Sequence, residues 1–298
     1  MISRAKPLLL LLLAQACVGI NIVLSKGLVD HINPLIMMTT RFTFAALFML
    51  PLCLQSGETK DWKFHLTKKD WLALLAKSLG AGLFFNLFML TGLHFTNANS
   101  AGLITSLLPA IVVVLNILIF KQKLSKQMFI AIIISIAGLI LINVESFGGS
   151  SANALLGNSL VFLSLLPEGL YYTLSKYYPI SKIPAVTNAI LLNALNLIFL
   201  YGVLAFMPLS VWRLITWHDG ITMAFLGLTT GLFFLCWQRG VEQVDAGYAS
   251  LATAFMPLST VVLAWLILGE TLTAIKFSGM LLVILSIVHY ARHQRRNS

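Results

Sequence analysis

PEGLYYTLSK, residues 167–176, puts a proline and a carboxylate into a run that is otherwise lipid-soluble, and its tail repeats an earlier segment, GINIVLSK, residues 19–26. At a spacing of 150 residues Gly19 falls on Gly169, Leu24-Ser25-Lys26 on Leu174-Ser175-Lys176, and Pro34 on Pro184. A spacing of 148 then carries residues 92–129 onto 240–277 without a gap, with 13 identities in 38 positions, Gly92, Thr105 and Pro109 among them. The glycine, threonine and proline matches carry the weight, because apolar composition alone aligns leucines and valines. The chain reads as two copies of one unit, residues 1–148 and 149–298.

Of 298 residues, 58% are hydrophobic and 10% charged, with a mean hydropathy of +0.90; soluble domains carry about 25% charged residues. The composition is that of a membrane protein. A window near 19 residues predicts ten spans, at about 7–28, 35–54, 71–93, 99–120, 128–144, 154–175, 185–207, 220–239, 246–268 and 275–291. Each copy then holds five helices. An odd number makes the second copy enter the bilayer upside down, so the expected fold is an all-α polytopic membrane protein of ten transmembrane helices in two inverted five-helix repeats. That architecture is how many transporters build a midplane site.

The net charge of +10 does not point to nucleic acid, because the basic residues sit in short loops between spans rather than along one face. With the N-terminus inside, 15 of the 20 Lys and Arg fall on the cytoplasmic side and Lys26, Arg213 and Lys276 outside, which leaves Arg41 and Lys77 within spans. This asymmetry predicts both termini in the cytoplasm. The start of the chain imitates a secretory signal, with Arg4, Lys6, a leucine run and Ala14-Gln15-Ala16. The apolar run continues past Cys17 to Leu24, long enough for a retained helix. The three cysteines share no ligand spacing, the six histidines are scattered, and no phosphate-binding loop is present. Neither metal, cofactor nor enzyme chemistry is expected, and transport would run on a gradient.

The residues resemble the drug/metabolite transporter superfamily, in particular its EamA-type ten-helix members. In the second copy the resemblance rests on Ala246, Gly247, Ala249 and Ser250, then Met256-Pro257, Leu268-Gly269-Glu270 and Gly279. In the first it rests on Gly19, Asn21, Lys26, Pro34 and Arg41, then Ala101, Leu108-Pro109 and Ala137-Gly138. There are departures: Val18-Gly19 and Glu168-Gly169 stand where the family often has Trp-Gly and Trp-Ala, and Gln122 stands opposite Glu270. The resemblance implies a carrier that exports small organic metabolites, amino acids or their relatives, from a bacterial inner membrane. The alternatives are a drug or toxic-compound exporter and a non-transporting membrane subunit. The expected partners are a small-molecule substrate and the lipid bilayer, with no oligomeric state specified.

Pro109 and Pro257 occupy equivalent places in the fourth and ninth spans, where proline removes a backbone hydrogen bond and bends the helix. Such a bend either shapes a cavity or is a tolerated packing kink. Glu168 lies about six residues from its helix end, hence roughly 9 Å deep at about 1.5 Å per residue. A charge at the bilayer centre costs on the order of 3 kcal/mol on insertion scales, so it must be protonated, paired or in water. Lys77 lies at a matching depth and is the expected ion-pair partner. Arg41, counted from the opposite surface, is not expected to reach it. Glu168 is either neutralised by Lys77 or a cavity residue that reads an amine or exchanges a proton. Asn21, Asn86, Tyr171, Tyr172, Trp237 and Trp265 complete the set of candidate cavity residues, with Asn99 and Asn193 behind them; each could equally be an interhelical bond or an interfacial anchor.

Overall fold

The computed structural model describes residues 2–55, 66–96, 101, 104–123, 125–143, 152–180, 183–206, 215–269 and 271–297; Asn99 and Glu270 lie outside them. The spans are α1 (Ile2–Lys26), α2 (Pro34–Gln55), α3 (Lys68–Phe95), α4 (Leu108–Phe120) and α5 (Lys126–Asn143). The second copy supplies α6 (Ala152–Tyr177), α7 (Ala185–Leu204), α8 (Trp217–Val241), α9 (Ala246–Ala252 and Phe255–Leu268) and α10 (Ala274–Asn297). Among the described residues, six of these, α1, α2, α3, α7, α8 and α9, are long and apolar enough to cross a membrane. α6 is more polar, yet Ser164, Glu168, Thr173 and Ser175 on it are all buried. It turns its polar side chains into protein, which is where lipid lets such groups be satisfied.

The two copies interlock. α1 packs on α8 and α9 of the second copy, and α6 packs on α3 and α4 of the first. The glycine of the repeated motif serves this crossing in both places. A Cβ on Gly19 would land on Ser259 and Thr260 of α9, and one on Gly169 would meet Ile111 of α4 at 3.0 Å; Ile111 and Ser259 are themselves 148 residues apart. Small residues let backbones approach where lipid supplies no hydrophobic drive between helices. The lysines of the motif are equivalent too. Lys26 donates to the Leu93 carbonyl (3.3 Å) at the end of α3. Lys176 donates to the Val241 carbonyl (3.2 Å) at the end of α8, and also to that of Val244. Each ammonium satisfies terminal carbonyls and meets the negative end of a helix dipole.

One feature breaks the symmetry. α3 starts at a capping box formed by Thr67 and Asp70, and α8 starts at the same box formed by Thr216 and Asp219, 149 residues on. By Gly92 and Gly240 the spacing is 148, so α3 holds one residue more. The structure absorbs it as a π-helical segment, Ser78–Phe84, in which the Phe85 amide reaches the Gly80 carbonyl. A π turn takes an extra residue without shifting the helix ends, and such turns gather at functional sites. Gly80 allows it to pack, since a Cβ there would lie 2.6 Å from the Pro167 carbonyl oxygen of α6.

Both prolines follow interruptions: turns at residues 106–107 and 253–254 precede the helical segments that carry Pro109 and Pro257. Pro109 is thus in the first turn of α4 rather than mid-helix, where its missing N–H costs least. At the far ends, Lys121 (φ 54°) and Gly269 (φ 68°) are equivalent left-handed caps.

Candidate functional site

At the centre, where α1, α2, α3, α6 and α8 converge, lies a small cavity of about 30 Å³, nearly closed in this conformation. Its walls are built from equivalent positions of the two copies. Val18 and Glu168 come from α1 and α6 at a spacing of 150, while Phe85 and Asn86 of α3 oppose Phe233 and Phe234 of α8 at 148. Asn21, Arg41, Phe42 and Thr230 complete the polar and aromatic lining on the α1, α2 and α8 side. The chemistry therefore differs where the scaffold repeats: valine stands where the other copy has glutamate, and asparagine where it has phenylalanine.

The π segment orients Asn86. Its amide nitrogen donates to the carbonyls of Ala81 (3.0 Å) and Gly82 (2.6 Å), which turns its Oδ1 toward Arg41. Arg41 donates to that oxygen through Nη2 and to Asn21 Oδ1 through Nη1 (3.4 Å). Asn21 is fixed in turn by donating to Cys17 O (2.8 Å) and Thr229 Oγ1 (3.0 Å) and by accepting from Thr230. Arg41 is 4% exposed, and its Nε has no partner.

Glu168 is held by a relay from the other wall. Gln15 donates to the Tyr172 hydroxyl (3.1 Å), which donates to Glu168 Oε1 (3.0 Å). Glu168 is 1% exposed, and its Oε2 has no partner. Among the described residues the ion pairs are Lys26–Asp30 and His31–Asp219, so Arg41 and Glu168 share one cavity without pairing.

Several expectations are corrected. Lys77 does not pair with Glu168: its ammonium donates to the Tyr178 carbonyl at 2.9 Å, toward the end of α6. Trp265 is 47% exposed on the outer side of α9, away from the cavity. Tyr171, Tyr172 and Trp237 are buried in an aromatic layer behind the cavity instead of lining it, with Tyr172 and Trp237 ring centroids 4.3 Å apart. Asn193 is spent on the Ala189 carbonyl (2.7 Å). Arg41 was visible as a charge inside a span, but depth counted from helix ends gave no hint of the face it takes.

Two further contacts tie the copies together at opposite ends. The aspartates of the two capping boxes each use Oδ2 for the cap and Oδ1 for the other copy. His31 Nε2 lies 3.2 Å from Asp219 Oδ1, and the Tyr178 hydroxyl donates to Asp70 Oδ1 at 3.3 Å.

Among the described residues, ten interlocked helices surround a largely apolar cavity with a few polar groups, the architecture of a multi-pass membrane protein. The EamA-like transporter family model matches the chain twice, over residues 5–144 and 155–291, and the protein belongs to that family. It is 27% identical to the uncharacterized transporter YetK of Bacillus subtilis, over 91% of this chain and 82% of that protein. An uncharacterized transporter of Archaeoglobus fulgidus is 26% identical over 90% of this chain and 92% of its own length. A solved crystal structure shares the fold, with a TM-score of 0.75 at 15% identity over 99% of both chains.

Proposed function

We propose that the protein is a secondary carrier of the bacterial inner membrane, with both termini in the cytoplasm, that exports small organic metabolites, amino acids or their relatives, by alternating access. The observation that carries this reading is the central cavity lined by Glu168 and its equivalent Val18, enclosed where the inverted copies cross. Inverted copies give two conformations of similar energy that expose one site to opposite sides. The His31–Asp219 and Tyr178–Asp70 contacts fit that scheme as ties between the copies at opposite ends, one released in each state.

Counterflow in proteoliposomes with a labelled amino-acid panel tests the reading, with wild type set against Glu168→Gln. Saturable exchange weakened by the substitution is the expected result. Exchange of cationic drugs alone would move the assignment to a drug exporter, and exchange of no solute in a panel extended to drugs and sugars would leave a non-transporting subunit.

A further inference from the structure

The central cavity presents a buried guanidinium, Arg41, and a buried carboxyl group, Glu168, each anchored on one side and unpartnered on the other. Removing a charge from water costs several kcal/mol after relaxation unless it is paired. Such a pair, held apart across a cavity, is complementary to a solute that brings both signs itself. Arg41 is anchored by Asn21 and Asn86 through its Nη atoms, which leaves Nε without a partner. Glu168 is anchored by Tyr172 through Oε1, which leaves Oε2 without one. The wall between them is apolar, with Val18, Ala81, Phe85 and Phe233.

We infer that Arg41 is the specificity-determining residue of this site: it reads the carboxylate of a zwitterion whose ammonium sits at Glu168, while the aromatic wall takes an apolar side chain. The inference rests on the carrier reading and narrows it. A guanidinium donates to a carboxylate in a fixed planar geometry, which an ammonium ion cannot reproduce. A cationic amine that lacks the carboxylate would enter against Arg41 with nothing to satisfy it. Discrimination between an amino acid and its decarboxylated amine therefore belongs to Arg41, as rejection of the deaminated acid belongs to Glu168. The π segment of α3 contributes Ala81 to the wall and aims Asn86, through which it positions Arg41.

The test is counterflow of labelled leucine, 3-methylbutylamine and 4-methylpentanoate by wild type, Arg41→Gln and Arg41→Lys, each checked for a monodisperse, thermally cooperative protein in detergent. Wild type should move leucine and neither analogue. Arg41→Gln should lose about 10- to 100-fold in leucine exchange, the worth of a charge-assisted hydrogen bond, and gain on the amine relative to leucine. Arg41→Lys, which keeps the charge without the fork, should fall between. Equal exchange of leucine and amine by wild type, or a leucine-to-amine ratio unmoved in Arg41→Gln, overturns the inference and leaves the carrier standing. If wild type moves none of the three, the inference falls as well; exchange in a parallel panel of sugars and nucleosides would then keep the carrier reading, and silence there would end it. If Arg41→Gln does not fold, the leucine-to-amine ratio of Arg41→Lys decides, unchanged from wild type being the overturning result.

Discussion

α1 and α6 carry the same motif at the same crossing, and they do different work. Each has a glycine against the other copy and a lysine on the terminal carbonyls of the third helix of its own copy. Between those shared points α1 offers Val18 and Asn21 to the cavity and α6 offers Glu168. The difference teaches that the repeat fixes where the helices meet, whereas substitutions at equivalent cavity positions set what the meeting point can bind.

Making the copies alike at the cavity should have the largest effect. Glu168→Val turns the α6 slot into that of α1 and removes the carboxyl group assigned to the solute's ammonium; transport is expected to fall roughly 100-fold or more, with the fold kept because Arg41 retains its bonds to Asn21 and Asn86. The measurement is initial counterflow rate beside the thermal midpoint. Next comes the π segment, present in one copy only. Deleting Leu83 should convert it to ordinary helix, because α3 then equals α8 in residue number between its capping box and Gly92. Monodisperse protein is expected with transport lost through misaimed Asn86, whereas deletion of a residue in the regular stretch of α8 should abolish assembly on size-exclusion chromatography.

The shared lysines sharpen the comparison from the structural side. Lys176→Met should cost more than Lys26→Met, about 1 kcal/mol against a few tenths, because Lys176 reaches two carbonyls and Lys26 one, at a half-exposed site. Thermal midpoints in one detergent compare them. An effect of similar size is expected at the caps, where one copy uses lysine and the other glycine for a left-handed turn. Lys121→Gly should stabilise by up to about 1 kcal/mol and Gly269→Ala destabilise by a similar amount, since L residues pay in that region and glycine does not.

Much of this was legible beforehand, and the gaps have physical causes. Ten spans, the inversion and the cavity residues Asn21, Asn86 and Glu168 follow from hydropathy, odd helix number and polar residues in apolar runs. Which way a side chain faces does not. In helices apolar all round, no amphipathic stripe marks the core, so Trp265 could not be told from a cavity residue, and Lys77 and Arg41 could be ranked only by depth. Depth favoured Lys77, but its long stem lets the ammonium reach the Tyr178 carbonyl, toward the interface. The π segment did leave a trace, in the drop of the repeat spacing from 149 at the capping boxes to 148 at Gly92. A change of one residue in spacing within a single helix is the signature of such an insertion.

The central claim is that one cavity opens to each side in turn. Val18→Cys, in a background with Cys17, Cys53 and Cys236 replaced by serine, places a thiol on the cavity wall that Glu168 also lines. In oriented vesicles a membrane-impermeant maleimide should label it from either side, more slowly when the transported solute is present. Labelling from one side only, or at a rate the solute does not change, would contradict the claim.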